Sequence, residues 1–300
     1  MSTETAGGWL RATVVLPREH LPAAEALLET LGALALTVRD AGDDPVFEPP
    51  PGQTPLWAAC RLDALFPAAA DGPAQRRALR RALAAVGCPT VRFLRLAERD
   101  WARLWMKHFK PMRFGSRLCI CPSHRRPPAN ADIVLRLDPG LAFGTGAHPS
   151  TALCLEWLDA HAAALAGARV LDYGCGSGVL ALAAAALGAT RVCAVDVDPQ
   201  ALAATAANAA ANGLAEAVEI HAAGAEPAGP YTLVVANIVS GVLIELAPTL
   251  TARLAPGGTL LLAGVLSEQI EAVCAAYRPQ LRLAHLAARG PWCLLGGRAP

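Results

Sequence analysis

The stretch Val170-Leu171-Asp172-Tyr173-Gly174-Cys175-Gly176-Ser177-Gly178 decides how the second half of this chain folds. An apolar run meets a carboxylate and then places glycine at every second position. The alanine-rich stretch that follows reads as a helix. A strand that turns through glycines into a helix lets bare backbone approach a bulky ligand, because glycine adopts dihedrals closed to other residues. Asp196 ends the next apolar run, about 20 residues on, where an acidic side chain holds ribose hydroxyls.

Working outward, strands and helices alternate to the end of the sequence. Strands are expected at 168–173, 191–196, 217–222, 231–236, 258–265, 281–287 and 292–297. Helices are expected at 177–187, 199–212, 239–254 and 268–278. This pattern predicts an α/β domain with a doubly wound, mostly parallel, seven-stranded sheet. The last two strands are joined only by Arg289-Gly290-Pro291, so they form an antiparallel hairpin at one side of the sheet.

The nucleoside stays open at this point. A dinucleotide fingerprint needs glycine or alanine at its third position. Counted from Gly174 that position is Val179, and counted from Gly176 it is Ala181, a weak match to a nicotinamide cofactor. The alternative is S-adenosylmethionine, with the loop around its methionine part and Asp196 on its ribose. The hairpin ending favours this alternative, because class I methyltransferases carry an antiparallel seventh strand.

Two further signals concern the reacting end. Val234-Val235-Ala236-Asn237-Ile238 reads as a buried strand that ends in a carboxamide. Ligands of open α/β sheets lie beyond the carboxyl ends of the strands, which puts Asn237 near the reacting carbon. Its oxygen suits an N–H of an incoming amine and would aim the nitrogen lone pair. A plain alternative is capping of the helix at 239–254, a task open to Ser240 as well. The segment DPGLAFGTGAHPST, from Asp138 to Thr151, is a loop that opens a helix over 151–159. Thr151 at that helix start is the candidate for the methionine carboxylate, with ordinary capping by Ser150 or Thr151 as its alternative. His148 is a candidate base or an incidental loop residue. No metal site is expected.

The first 96 residues read differently. Strands at 9–16, 33–39, 56–62 and 90–96 interleave with helices at 22–31 and 73–86, and 40–55 is a loop rich in Asp, Gly and Pro. The order βαββαβ is the ferredoxin-like α+β arrangement. It carries no glycine loop or catalytic pair, so it is expected to bind or position something. Arg92, Arg95, Arg99, Arg103, Lys107 and Lys110 follow at steps of three or four. A helix over 97–110 would line up its basic residues on one face and Trp101, Leu104, Trp105 and Phe109 on another. That face is either solvated or in contact with RNA. Residues 113–122 should form a hairpin or strand, and 123–130 a linker.

Composition sets the bounds. The chain has 300 residues, 54% hydrophobic and 17% charged, which suggests about two domains and excludes a disordered polymer. The net charge is +1, yet residues 1–130 hold 18 Lys and Arg against 12 Asp and Glu, and the remainder holds 8 against 13. Nine scattered cysteines without a CxxC pair read as reduced thiols, hence a cytoplasmic protein. No secretory signal is apparent, and the longest apolar run, 179–189, is short of the ~20 residues that span a bilayer.

Taken together, DPGLAFGTGAHPST, VLDYGCGSG, AVDVDPQAL and VVANIV closely resemble the bacterial ribosomal protein L-eleven (L11) methyltransferases, the PrmA family. Asp100-Trp101, Trp105, Lys107, Phe109-Lys110-Pro111, Gly115, Leu118, Ile120 and Pro122-Ser123 add to the likeness, which covers roughly residues 98–298. His124 departs from the tryptophan usual there.

The resemblance implies a Rossmann-like, S-adenosylmethionine-dependent methyltransferase domain at 131–300. It implies a substrate-recognition domain at 1–96, joined by a basic linker helix and connecting segment at 97–130. The cofactor would be held by Thr151, Gly174, Asp196 and Asn237. The acceptors would be lysine side chains and the N-terminal amine of L11, free or on the ribosome. Ribosomal RNA contact through 92–126 and a monomeric state are further expectations.

Overall fold

The computed structural model describes residues 8–42, 57–97, 110–138 and 146–300. The expected loop at 40–55, helix at 97–110 and glycine-rich loop at 138–151 fall largely or partly outside these residues. The chain divides into two compact units, Met1–Leu104 and Trp105–Pro300.

In the first unit the order is β1 (Gly8–Pro17), α1 (Leu21–Thr30), β2 (Ala35–Asp40), β3 (Ala59–Pro67), α2 (Pro73–Ala85) and β4 (Val91–Ala97). The sheet runs β2-β3-β1-β4 and its neighbours are antiparallel. Alternation in β1 sends Leu10, Ala12, Val14 and Leu16 into one core with Leu28 of α1 and Leu79 and Leu83 of α2. The third strand starts three residues later than its expected start at 56, and ends at Pro67 rather than 62. The alternation of Cys60, Leu62, Ala64 and Phe66, all buried, carries it on.

The second unit begins with β5 (Met112–Phe114) and β6 (Leu118–Cys121), the expected hairpin, and β7 (Ile133–Arg136), a strand absent from the sequence reading. β7 pairs parallel to β6 in a separate three-stranded sheet. Phe114, Leu118, Ile120 and Leu135 join the core of the second unit, so the strand pair at 112–121 packs as part of that unit and not as a bare connection.

Then follow α3 (Pro149–Ala160), α4 (Ala162–Leu165), β8 (Arg169–Tyr173), α5 (Val179–Ala186), β9 (Arg191–Asp196), α6 (Pro199–Ala211), β10 (Val218–Ala222) and β11 (Tyr231–Asn237). The chain closes with α7 (Ser240–Glu245), α8 (Ala247–Ala252), β12 (Leu254–Leu266), α9 (Ile270–Tyr277), β13 (Ala284–Arg289) and β14 (Trp292–Arg298). The helix expected at 239–254 is two helices, because Pro248 opens a new first turn and cannot supply an N–H to the old one.

The main sheet runs β10-β9-β8-β11-β12-β14-β13. Its first five strands are parallel and β14 is antiparallel to both neighbours, as the short turn at 289–291 requires. One core packs α3 and α5 on one face of the sheet, and the other packs α7, α8 and α9 on the opposite face. Between those two helical layers the strands read as apolar runs. Among the described residues no helix is long and apolar enough to cross a membrane.

Candidate active site

The glycine turn leaves β8 at its carboxyl end. Gly174, Gly176 and Gly178 all have positive φ, of 80°, 55° and 78°. A Cβ on Gly174 would lie 2.3 Å from Cγ2 of Ile238, so only glycine lets the turn pass beneath the residue after Asn237. The N–H groups of Gly174 and Cys175 donate to the Val195 carbonyl at 2.7 and 2.9 Å, which sews the turn to β9.

Asp196 is half-buried at the end of β9. Its Oδ2 accepts from the Gly176 N–H at 2.9 Å and its Oδ1 from the Asp198 N–H at 3.0 Å. Each carboxylate oxygen has two lone pairs, so these bonds orient the group and leave acceptor capacity for hydroxyls. The next side chain, Val197, is 82% exposed, an apolar surface beside a carboxylate.

Asp172 points the other way. It is 1% exposed, Oδ2 accepts from the Ala181 N–H at 3.0 Å, and Oδ1 is buried with no partner in the structure. Burial pushes its pKa up to about 7, against the Ala181 hydrogen bond and aided by the nearby Asp196 charge. This carboxyl holds the first turn of α5 from below and was not singled out as a separate group by the sequence.

The third part joins α3 to β11. Asn237 Nδ2 donates to Thr151 Oγ1 at 3.1 Å, and Thr151 is 3% exposed. The capping alternatives fail on geometry. The N-cap of α7 is Val239, so neither Asn237 nor Ser240 caps that helix. The N-cap of α3 is His148, whose Nδ1 accepts from the Ser150 N–H, with Pro149 at the first turn. The helix therefore starts two residues before the expected 151, because proline suits the first helical position. Burial lowers the His148 pKa, its Nδ1 lies 2.7 Å from Ser150 Oγ, and its ring meets Trp292 edge-on at 4.6 Å. With Nδ1 accepting from the Ser150 N–H, the neutral ring carries its proton on Nε2, so neither nitrogen is left as a proton acceptor for a substrate.

Two pairs thus emerge, Gly174 with Asp196 through the turn, and Thr151 with Asn237 directly. Ile238 joins them, since it follows Asn237 and packs on Gly174. It carried no separate sequence signal, because an isoleucine after a strand looks like any core residue.

A family model described as Ribosomal protein L11 methyltransferase (PrmA) matches residues 8–300. This chain belongs to the ribosomal protein L11 methyltransferase family. Its relatives in that family include proteins named Ribosomal protein L11 methyltransferase from Hahella chejuensis and Methylococcus capsulatus. The first is 46% identical over 293 residues, covering 97% of this chain and 98% of the relative. The second is 45% identical over 290 residues, covering 96% and 98%. The solved structure of the ribosomal protein L11 methylase from Lactobacillus delbrueckii subsp. bulgaricus superposes with a TM-score of 0.57 at 28% identity. It covers 64% of this chain and 99% of that one, and it supports the α/β fold.

Proposed function

We propose that this chain transfers methyl groups from S-adenosylmethionine to amino groups of ribosomal protein L11, on lysine side chains and at the N-terminal amine. The observation that carries the reading is the Thr151–Asn237 pair at the carboxyl end of β11, in a chain that matches the family over residues 8–300. The described residues fit a nucleoside that bears a methionine. The turn presents backbone without side chains, Asp196 offers oriented oxygens, and exposed Val197 offers a surface for a flat base.

When bound, S-adenosylmethionine supplies an electrophilic methyl on a cationic sulfonium. Asp196 takes the ribose hydroxyls. Gly174 lets the backbone approach the methionine part. Thr151, in the first turn of α3, offers its hydroxyl to a carboxylate where helix N–H groups and the dipole favour an anion. Asn237 is anchored through Nδ2, which turns Oδ1 to an amine N–H and aims the lone pair.

The amine must be neutral, against free pKa values of about 10.4 for lysine and about 7.7–8.0 for an α-amine. Val239, two residues after Asn237, is half exposed and gives the acceptor an apolar approach that disfavours its charged form. No dedicated base is needed beyond solvent.

The strand orders support the finer architecture. β2-β3-β1-β4 with two helices corresponds to a ferredoxin-like substrate-recognition module, and the seven-stranded order with antiparallel β14 to a class I methyltransferase. The basic link is then the part of 97–130 that precedes Met112, with the strand pair at 112–121 belonging to the second unit, in a monomeric cytoplasmic enzyme. Equilibrium titration with S-adenosylmethionine and with NAD tests the cofactor. Saturable binding of the first alone is expected. Binding of NAD in its place would overturn the reading.

A further inference from the structure

The inner face of α6 and its C-cap carry Thr205, Asn208 and Asn212, spaced three and four apart, so they share one side of the helix. Thr205 and Asn208 bond the glycine turn, and Asn212 bonds the end of β7. Thr205 Oγ1 donates to the Gly176 carbonyl at 3.0 Å and is completely buried. Asn208 Nδ2 donates to the Ser177 carbonyl at 2.9 Å. Asn212 receives the Arg136 N–H at 2.6 Å and donates to the Arg136 carbonyl at 2.8 Å, which fixes the end of β7.

Thr205 holds the most consequential position. Gly176 is held on both sides of its Cα, the N–H of the peptide before it by Asp196 and the carbonyl of the peptide after it by Thr205. Cys175 Sγ lies 3.5 Å from the same hydroxyl. Because the Thr205 proton goes to the carbonyl, the thiol is the donor, and burial, with the Asp172 charge, pushes that thiol up to about 12 so that it keeps its proton. A buried thiol, Thr205 and the Asp196 carboxylate therefore converge on one glycine, whose φ and ψ the two backbone bonds fix together. The methyl of Thr205 fills the space where a Cβ of Gly178 would be, at 2.6 Å.

We propose that Thr205 is a positioning residue for the nucleoside: by fixing the Gly176 backbone it holds in place the N–H that orients the Asp196 carboxylate. The inference rests on the reading of Asp196 as the ribose ligand. Without the hydroxyl, the Gly176 carbonyl loses its buried donor, the backbone turns more freely about the Gly176 Cα, and Asp196 keeps only the Asp198 N–H as a firm anchor.

The test uses the full chain as Thr205→Val, which keeps the shape and removes the hydroxyl, with Thr205→Ser as the conservative partner. Two measurements are made. Amide hydrogen exchange of residues 174–178 in the ligand-free protein needs no cofactor at all. Titration with S-adenosylhomocysteine, together with KM and kcat for S-adenosylmethionine, reads the nucleoside.

The valine variant is expected to speed exchange at Gly176 and to raise Kd and KM roughly tenfold with kcat nearly unchanged, while the serine variant recovers most of both. Unchanged exchange at Gly176 in the valine variant would overturn the proposal, whatever the ligand does. Faster exchange with an unchanged Kd would overturn it too. A wild-type protein that binds no S-adenosylhomocysteine would refute the cofactor reading itself, a failure separate from either.

Discussion

Thr151 and Asn237 lie 86 positions apart in sequence and are hydrogen-bonded at 3.1 Å, the threonine from α3 and the asparagine from the end of β11. The bond decides which end of the carboxamide faces outward. An asparagine whose nitrogen is held by the protein presents its oxygen, and an oxygen is what a nucleophilic amine needs as an acceptor.

Replacing Asn237 by alanine should therefore cost turnover more than cofactor affinity. We expect kcat to fall by a factor on the order of 100, with Kd for S-adenosylhomocysteine changed only a few-fold. Equal losses in both would mean that the side chain only binds.

Gly174→Ala should destabilise the protein by roughly 1–3 kcal/mol. Part of this is the positive φ, and part is the contact at 2.3 Å with Cγ2 of Ile238. Adding Ile238→Ala to the glycine variant removes only the second part. Urea unfolding of the two single variants and the double should be non-additive. Strict additivity would rule out the steric contact.

Asp172 makes stability fall with rising pH. Its folded pKa of about 7 lies above the unfolded value of 3.8, so the unfolded chain gives up this proton first. The contribution is complete below the unfolded pKa and is lost as the pH rises to the folded one. Asp172→Asn keeps an acceptor for Ala181 and cannot ionise. It should be more stable than wild type near pH 8, by at most roughly 4 kcal/mol, and nearly equal to it near pH 4. Denaturation at both pH values checks this. A variant less stable than wild type near pH 8 contradicts it.

Asp159 holds the β5–β6 hairpin on α3. Burial works against its charge, but the Ser116, Arg117 and Leu118 N–H groups, at 2.7 to 3.1 Å, and the Ser116 hydroxyl outweigh it and lower its pKa. Its contribution is thus present above the ordinary carboxylate range and lost as the pH falls. Asp159→Ala should lower stability by about 3 kcal/mol at neutral pH, because it strands three backbone donors. A loss within about 0.5 kcal/mol would show that solvent replaces them.

Much of this architecture is legible in the sequence because local signals agree. The alternation in residues 10–16, the glycine turn at 174–178 and the short turn at 289–291 each select one local structure. β7 was missed because four residues between polar loops offer too little period to read. The split at Pro248 was missed because an apolar helical pattern ran through it. The proposed members of the site can each be named from their types and places. Their pairings cannot. Thr151 with Asn237, and Thr205 with Gly176, depend on the way α3 and α6 pack over the sheet, and spacing along the chain is blind to that. Asp172 was visible as a residue, but its inward turn is a matter of packing, and its raised pKa follows from burial with the Asp196 charge adding to it.

The most direct measurement is the intact mass of ribosomal protein L11 after incubation with this protein and S-adenosylmethionine, with Asp196→Ala run alongside. The account predicts a gain in whole methyl units that is lost or strongly slowed in the variant. No gain in mass, from a wild-type protein that binds the cofactor, would contradict L11 as the substrate.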